Sequence, residues 1–253
     1  MDYDSPKIMK NVDIQNPELK ELLEEIKQYV FSNLDNIKAN VRLRSLDDVD
    51  SAAVLAPKLN RNHRDVFLND GYLEQIRGLG ENHLGYPEVL VGYNLVGTTD
   101  AFRFVDGVPT QEQLSWREEY RRKYAEFNNN LMSMLGVRHN ALFTLYPPNE
   151  GFIAWHNNAN ASAYNLIFTL SENGDGWWKH WNMHKQEIET IHDVEGWQCK
   201  ASYFGAYKEL DTNSLVYHAA ATNDSWRLTI SYVFDREHED YWLDCIDEIE
   251  YDN

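Results

Sequence analysis

The sequence predicts an α+β protein in which a β-barrel or jelly roll is backed by helices from the N-terminal half. Two observations carry this prediction. The first half of the chain holds two long segments with helical periodicity, whereas the second half holds short apolar or alternating runs separated by turn residues. Eight such runs, at a spacing of roughly 8–12 residues, are typical of a sandwich or barrel. We therefore interpret the chain as a single domain, 1–253, with a helical support region (1–139), a β-barrel core (140–235) and an acidic tail (236–253).

Two segments of the support region are predicted to be helices. From Pro17 to about Ala39, apolar residues recur three and four positions apart, which makes one stripe of an amphipathic helix with its proline in the first turn. The second helix is expected to begin after Thr110, where Gln113 completes a capping-box pattern, and to end at Gly136.

The core is predicted to contain eight strands. They are Ala141–Tyr146, Gly151–His156, Ala163–Leu170, Trp177–Trp181, Glu187–His192, Lys200–Phe204, Leu215–His218 and Trp226–Phe234. Turn-rich segments such as PPNEG, SENGDG and DVEG lie between several of them. A further strand is expected within Pro87–Val96, in the mixed segment between the two helices.

Charge and composition exclude several classes of protein. The chain has 23 basic and 41 acidic residues, a net charge of −18, so its surface repels phosphate backbones and non-specific nucleic-acid binding is not expected. No run approaches the roughly 18 consecutive apolar residues of a membrane span. The N-terminus lacks the apolar region of a signal peptide, and two cysteines are too few for a disulfide framework, so a cytoplasmic location is expected.

The C-terminal tail is the most acidic part of the chain. From Asp235 to Asn253 it carries nine acidic residues and a single arginine, which are expected to keep the protein soluble. Four apolar residues could nevertheless dock it on the core: Tyr241, Trp242, Leu243 and Ile246.

Two of the nine histidines differ from the rest because each lies at the end of a predicted strand. His156 is followed two positions later by Asn158, and residues two apart in an extended chain point the same way, so both can face one metal ion. His218 lies 62 residues further on, far enough for intervening strands to bring the two histidines together. The alternative is that both are structural histidines. His180 and His184, four residues apart, lack a third ligand and are interpreted as part of a strand and turn.

The last predicted strand has one apolar and one polar face. The apolar face, which can pack on the helices, carries Trp226, Leu228, Ile230, Tyr232 and Phe234. The other face carries Arg227, Thr229 and Ser231. A buried arginine is costly unless it is paired, and a carboxylate matches its planar fork of donors best. No acid on a neighbouring predicted strand is obviously placed to meet Arg227, so a ligand carboxylate is expected, with a structural salt bridge as the alternative.

The segment from Asn140 to Phe234 resembles the 2-oxoglutarate–Fe(II) dioxygenase superfamily. In that superfamily an H-x-D/E pair and a distant histidine hold iron on a double-stranded β-helix, and a downstream arginine, often in R-x-S, binds the far carboxylate of 2-oxoglutarate. Here His156, His218 and Arg227 match, and Arg227-x-Thr229 is similar to R-x-S. The Tyr-Pro-Pro turn ahead of His156 also resembles the superfamily and makes Tyr146 a candidate contact for the co-substrate.

This resemblance implies an Fe(II)- and 2-oxoglutarate-dependent oxygenase of the hydroxylase type. Oxidative decarboxylation of 2-oxoglutarate would be coupled to oxidation of a substrate C–H bond. The metal would be held by His156, Asn158 and His218, and the small-molecule co-substrate by Arg227, Thr229 and Tyr146. A protein side chain, a small metabolite and a nucleobase all stay open as the primary substrate.

The chain departs from the superfamily's pattern at Asn158, where the usual residue is a carboxylate. An amide oxygen is neutral and a weaker ligand, so iron should bind less tightly. Asn158 could bind the metal through its oxygen, water or halide could fill the position, or the site could be degenerate. The last possibility gives the main alternative function, a non-catalytic binding module on the same barrel. A second alternative is an interaction protein that uses the acidic tail and the N-terminal helix.

Overall fold

The computed structural model describes residues 9–41, 64–79, 96–97, 104–137, 142–149, 151–156, 164–182, 185–204 and 216–251. Antiparallel sheets and helices make a mixed α+β fold, and this part of the predicted fold class is confirmed. Within these ranges, no helix is both long enough and apolar enough to cross a membrane.

The described residues include six α-helices. They are α1 (Pro17–Ser32), α2 (Leu34–Asn40), α3 (Arg64–Phe67), α4 (Asp70–Leu79), α5 (Gln111–Leu135) and α6 (Glu239–Glu250). The single helix predicted from Pro17 to Ala39 is interrupted at Asn33, whose side-chain amide donates to the Tyr29 carbonyl at 2.9 Å. Asparagine favours such an interruption because its side chain competes for backbone hydrogen bonds.

Helix α5 begins and ends where the sequence predicts. The Thr110 hydroxyl accepts a hydrogen bond from the Gln113 N–H at 3.2 Å, and the Gln113 side chain accepts one from the Thr110 N–H at 2.9 Å. Gly136 ends the helix in the left-handed region, at φ 68°. These short-range signals set the bounds because they satisfy backbone groups that have no partner inside the helix.

The described ranges contain ten strands, which form two antiparallel sheets. The strands are β1 (Lys10–Val12), β2 (Val96–Gly97), β3 (Leu142–Tyr146), β4 (Phe152–His156), β5 (Tyr164–Ser171), β6 (Trp177–Asn182), β7 (Glu187–His192), β8 (Gly196–Tyr203), β9 (His218–Ala221) and β10 (Arg227–Phe234). The six-stranded sheet has the order β1-β8-β5-β10-β3-β2, and the four-stranded sheet has the order β4-β9-β6-β7. From β3 onward the chain therefore alternates between the sheets, except at the β6–β7 hairpin.

One strand near the candidate site has different bounds from those predicted. The run Leu215–His218 was expected to be a strand that ends at His218, but β9 begins at His218 and continues to Ala221. Ala219 and Ala221 are buried in an apolar cluster beneath α4. A run of alanines gives little strand signal, because burial between neighbouring strands and not intrinsic propensity places it in the sheet.

Two further differences concern strand ends. Strand β8 begins at Gly196, ahead of the predicted start at Lys200. The strand expected within Pro87–Val96 lies outside the described residues except at Val96, which belongs to β2.

The main apolar core lies between the six-stranded sheet and the helices, as the alternation along β10 predicts. It combines side chains of α1 and α5 with the apolar face of the last strand, namely Trp226, Leu228, Ile230, Tyr232 and Phe234. Cys199 is buried in the same core as a free thiol. The apolar residues of the acidic tail dock there too, because Trp242 and Ile246 of α6 are buried and Tyr241 and Leu243 pack against them.

A smaller apolar cluster joins the two sheets. Tyr146 and Ile167 belong to it from the six-stranded sheet, and Trp178 and Ala220 belong to it from the four-stranded sheet. Tyr146 pairs with Arg227 across β3 and β10. The polar face of β10 therefore points into the layer between the sheets, on the opposite side from the helices.

Candidate functional site

His156 and His218 lie side by side as a cross-strand pair of β4 and β9. Their ring centroids are 4.2 Å apart and the ring planes are inclined by 54°. Both side chains are buried. The structure thus brings together the two histidines that the sequence singles out as metal ligands.

An irregularity in β4 turns His156 toward His218. Ile153 pairs with Ala220 and His156 pairs with His218, so β4 has one residue more than β9 between the two pairs. A bulge of this kind allows Ile153 and His156, at odd spacing, to share one face of the sheet. Trp155 is fully buried in the cluster beneath α4, away from the histidine pair.

Backbone carbonyls fix the orientation of both imidazole rings. Nδ1 of His156 lies 2.7 Å from the Ala154 carbonyl oxygen, and Nδ1 of His218 lies 2.9 Å from that of Val216. A neutral ring that donates its Nδ1–H keeps the lone pair of Nε2 for a metal.

The two rings are held in the neutral form. Burial lowers the pKa of His156 to about 4, against the opposing effect of hydrogen bonds to the backbone of Ala154 and His218. Burial and the neighbouring His156 hold the pKa of His218 well below its usual range. Both rings are therefore uncharged at pH 7, which is the form that binds metals.

Aromatic rings cover His218. Its ring stacks on Phe204 at 4.5 Å between centroids and on Trp178 at 5.8 Å. Because the rings of Phe204 and Trp178 are buried, they shield this side of the His218 imidazole from water and restrict the rotation of its ring.

A third histidine continues the same row of residues. His180 pairs with His218 across β6 and β9, and its Nε2 lies 2.9 Å from Oε2 of Glu189 on β7. The sequence interpretation placed His180 correctly on a strand but missed its position beside His218, because the pairing of β6 with β9 joins distant parts of the chain. His180 follows Trp178 by two positions in the same strand, so the two side chains face the same layer between the sheets. This spacing is the signal that could have indicated the position of His180.

The described part of the chain does not complete a metal site by itself. Within it, no three His, Cys, Asp or Glu side chains are grouped so that they could hold a metal ion. The predicted third ligand, Asn158, lies outside the described residues. The structure therefore supplies two imidazoles and leaves the third ligand a prediction.

Arg227 lies at the start of β10 and is almost completely buried. Its Nε donates to Oδ2 of Asp193 at 2.6 Å, and Asp193 is fully buried as well. The structural salt bridge, which the sequence left as the alternative to a ligand carboxylate, is therefore present. Asp193 lies in the turn after β7 and not on a neighbouring strand, so strand alternation could not indicate it. Burial works against the charge of Arg227, but Asp193 and Tyr146 together outweigh burial and raise the pKa of the guanidinium.

The other two predicted co-substrate residues lie beside Arg227. The guanidinium carbon is 4.9 Å from the centre of the Tyr146 ring. Burial raises the pKa of Tyr146, although Arg227 and a hydrogen bond with Thr229 work against this effect, so the phenol is neutral. The structure therefore brings all three residues together on one face of the six-stranded sheet.

Lys200 is a further charged residue of this face, and the sequence interpretation missed it. It is only 2% exposed, and its Nζ donates to Oε1 of Gln198 at 2.6 Å. Burial lowers the pKa of Lys200 to about 8, with Arg227 adding to this effect and Asp193 opposing it. A lysine in a strand is normally taken to face solvent, which is why its position alone gives no sign of burial.

Comparison with known proteins gives no family for this chain. No protein-family model and no curated protein sequence matches it. Among solved structures, it is similar to a Pseudomonas putida prolyl-4-hydroxylase (16% identity, 52% of this chain and 72% of that chain, TM-score 0.27). It is also similar to a Trichoplax adhaerens prolyl hydroxylase in complex with a hypoxia inducible factor peptide (12% identity, 88% and 94%, TM-score 0.32). Drosophila melanogaster CENP-C bound to CAL1 scores comparably (8% identity, 47% and 99%, TM-score 0.26), so likeness at this level does not indicate a function.

Proposed function

We propose that the protein is an Fe(II)- and 2-oxoglutarate-dependent oxygenase of the hydroxylase type. The observation that carries this proposal is the buried pair of His156 and His218, whose ring centroids are 4.2 Å apart. This pair lies on the four-stranded sheet, which faces the side of the six-stranded sheet that carries Arg227. Two neutral imidazoles with anchored Nδ1 atoms are suited to a transition metal.

The order of the strands supports a double-stranded β-helix as the finer description of the fold. From β3 to β10 the chain passes alternately between two facing antiparallel sheets, except at the β6–β7 hairpin. In the resemblance described above, the first iron-binding histidine precedes the distal histidine and the arginine along the chain. His156 at the end of β4, His218 at the start of β9 and Arg227 at the start of β10 agree with that order.

The described residues offer contacts for the co-substrate and two of the three ligands that Fe(II) requires. His156 and His218 would bind Fe(II) through Nε2, with Asn158 as the proposed third ligand. Arg227, Thr229 and Tyr146 would hold 2-oxoglutarate, because the buried Nη1 of Arg227 has no hydrogen-bond partner within the described residues. With dioxygen as the oxidant, bound Fe(II) and 2-oxoglutarate would together supply the oxidising chemistry: one oxygen atom would enter the succinate that forms with carbon dioxide, and the other would enter the substrate as a hydroxyl group.

The residues of the chain hold the binding groups in place, supply charge and exclude water from the site. Asp193 fixes the guanidinium of Arg227, and the carbonyls of Ala154 and Val216 fix the two imidazoles. Phe204 and Trp178 keep water from one side of His218. Such pre-positioned groups need little reorganisation when their ligands bind.

One observation favours the second candidate, a non-catalytic binding module on the same fold. Arg227 already has a carboxylate partner in Asp193, so it does not require a ligand to balance its charge. In this case the metal site is degenerate, and no succinate would form even with saturating iron.

An anaerobic titration with Fe(II) and 2-oxoglutarate tests the proposed function. We expect a metal-to-ligand charge-transfer band in the visible spectrum of the wild-type protein. The His218→Ala variant should lack the band, whereas His238→Ala, which removes an exposed histidine, should keep it. A folded wild-type protein without the band would refute the proposal.

The variant Asn158→Asp tests whether residue 158 belongs to the coordination shell. A carboxylate adds charge compensation for Fe(II), so iron should bind more tightly to this variant than to the wild type. Equal affinity in the two proteins would remove Asn158 from the ligand set without affecting the two histidines.

A further inference from the structure

A buried lysine on β8 extends the candidate co-substrate site beyond its expected residues. Lys200 pairs with Ile167 of β5, and Ile167 packs in the cluster between the two sheets. The neighbouring residues Cys199 and Ala201 point the other way, into the core beneath the helices. Lys200 therefore lies on the same face of the six-stranded sheet as Arg227.

Among the residues that the structure describes, the buried charges on this face do not balance. Arg227 and Lys200 are two buried cations, and the one buried carboxylate among the described residues of this face, Asp193, is hydrogen-bonded to Arg227. Asp193 can neutralise one cation but not both, which leaves a buried charge of +1. The direct partner of Lys200 is the neutral amide of Gln198. A buried charge without a counterion is costly, and an anionic ligand would remove that cost.

Donor groups of the same face also lack acceptors. Within the described residues, Nη1 of Arg227 and Nε2 of Gln198 are buried and have no hydrogen-bond partner. Oδ1 of Asp193 is an acceptor without a partner, but its carboxylate is already held to Arg227 through Oδ2. Unpartnered donors on the same face as an ammonium group are suited to a carboxylate, which accepts several hydrogen bonds at once.

We propose that Lys200 is a second cationic contact for the co-substrate, so that the far carboxylate of 2-oxoglutarate lies between Lys200 and Arg227. This inference rests on the proposed function and adds a specificity-determining residue to it. Lys200 makes the site selective for a 2-oxo acid that carries a second carboxylate, because a neutral tail would leave the surplus positive charge buried.

Anaerobic binding calorimetry on the Fe(II)-loaded protein tests this inference with two probes. One probe is 2-oxoglutarate, and the other is 2-oxopentanoate, which lacks the far carboxylate. In Lys200→Met we expect the affinity for 2-oxoglutarate to fall roughly 10- to 100-fold, as for the loss of a charged hydrogen bond, and that for 2-oxopentanoate to change little. Lys200→Arg should retain most of the affinity, and Lys179→Met, a lysine on β6, should behave as the wild type.

The outcomes separate this inference from the proposed function. If Lys200→Met unfolds at the wild-type temperature or above and binds 2-oxoglutarate within twofold of the wild type, Lys200 is not a ligand contact. If Lys200→Met loses stability but not affinity for 2-oxoglutarate, Lys200 only balances the negative charge of Asp193, and the inference is overturned. If the Fe(II)-loaded wild type binds neither probe, the proposed function fails first and the inference falls with it.

Discussion

The buried ion pair of Asp193 and Arg227 gives a prediction that does not depend on any ligand. Asp193→Asn removes the negative charge and nearly preserves the shape of the side chain. It leaves Arg227 and Lys200 buried without a carboxylate, and both are 2% exposed. Breaking a buried pair by removal of one partner costs about 3–5 kcal/mol, and the retained amide oxygen places this variant near the lower end.

Urea unfolding of the wild type and of Asp193→Asn measures this cost. We expect the free energy of unfolding to fall by about 3 kcal/mol with an unchanged denaturant slope. The control Asp235→Asn removes an exposed aspartate and should change stability by no more than about 0.5 kcal/mol. The cost of Asp193→Asn should be smaller in a Lys200→Met background, where only one cation is left unpaired. A loss below about 1 kcal/mol in the wild-type background would show that the carboxylate does not stabilise this cluster.

Three further predictions concern stability. Gly176→Ala should destabilise the fold by roughly 1–3 kcal/mol in thermal unfolding. The added Cβ would collide with Oδ2 of Asp193 and approach Cδ of Arg227 to 3.1 Å. An unchanged unfolding transition would contradict the close packing around this ion pair. Burial lowers the pKa of Lys200 from 10.5 to about 8, so the folded protein binds this proton less tightly than the unfolded chain does. The free energy of unfolding of the wild type should therefore rise by up to about 3 kcal/mol relative to that of Lys200→Met between pH 8 and pH 10.5. A difference between the two proteins that does not change with pH would be inconsistent with a buried lysine. Thr110→Ala removes the cap of α5 and should cost about 1 kcal/mol in urea unfolding, whereas Gln111→Ala, one residue later, should cost close to nothing; equal effects would mean that the capping hydrogen bond does not contribute.

Features encoded by neighbouring residues could be predicted from the sequence. Thr110 with Gln113 marks the start of α5, and Gly136 marks its end. The alternation along β10 separates the apolar face from the face of Arg227 and Thr229. Each of these signals depends on residues within one turn or one strand, so no knowledge of the tertiary structure is needed.

Features that depend on contacts between distant segments could not be predicted. Asp193 meets Arg227 from a turn 34 residues earlier in the chain, and no strand pattern indicates which turn residue folds inward. The bulge in β4 has no local sequence signal, and it decides which side His156 faces. Lys200 belongs to the same group, because its burial follows from the packing of the two sheets and not from its neighbours in the sequence.

The central claim is that His156 and His218 bind one metal ion while Arg227 binds the co-substrate. A crystal structure of the protein grown anaerobically with Fe(II) and 2-oxoglutarate tests it most directly. We predict one anomalous peak bonded to Nε2 of both histidines, and a 2-oxoglutarate molecule that contacts this metal and the guanidinium of Arg227. A metal bound elsewhere, or bound to only one of the two imidazoles, would contradict the claim.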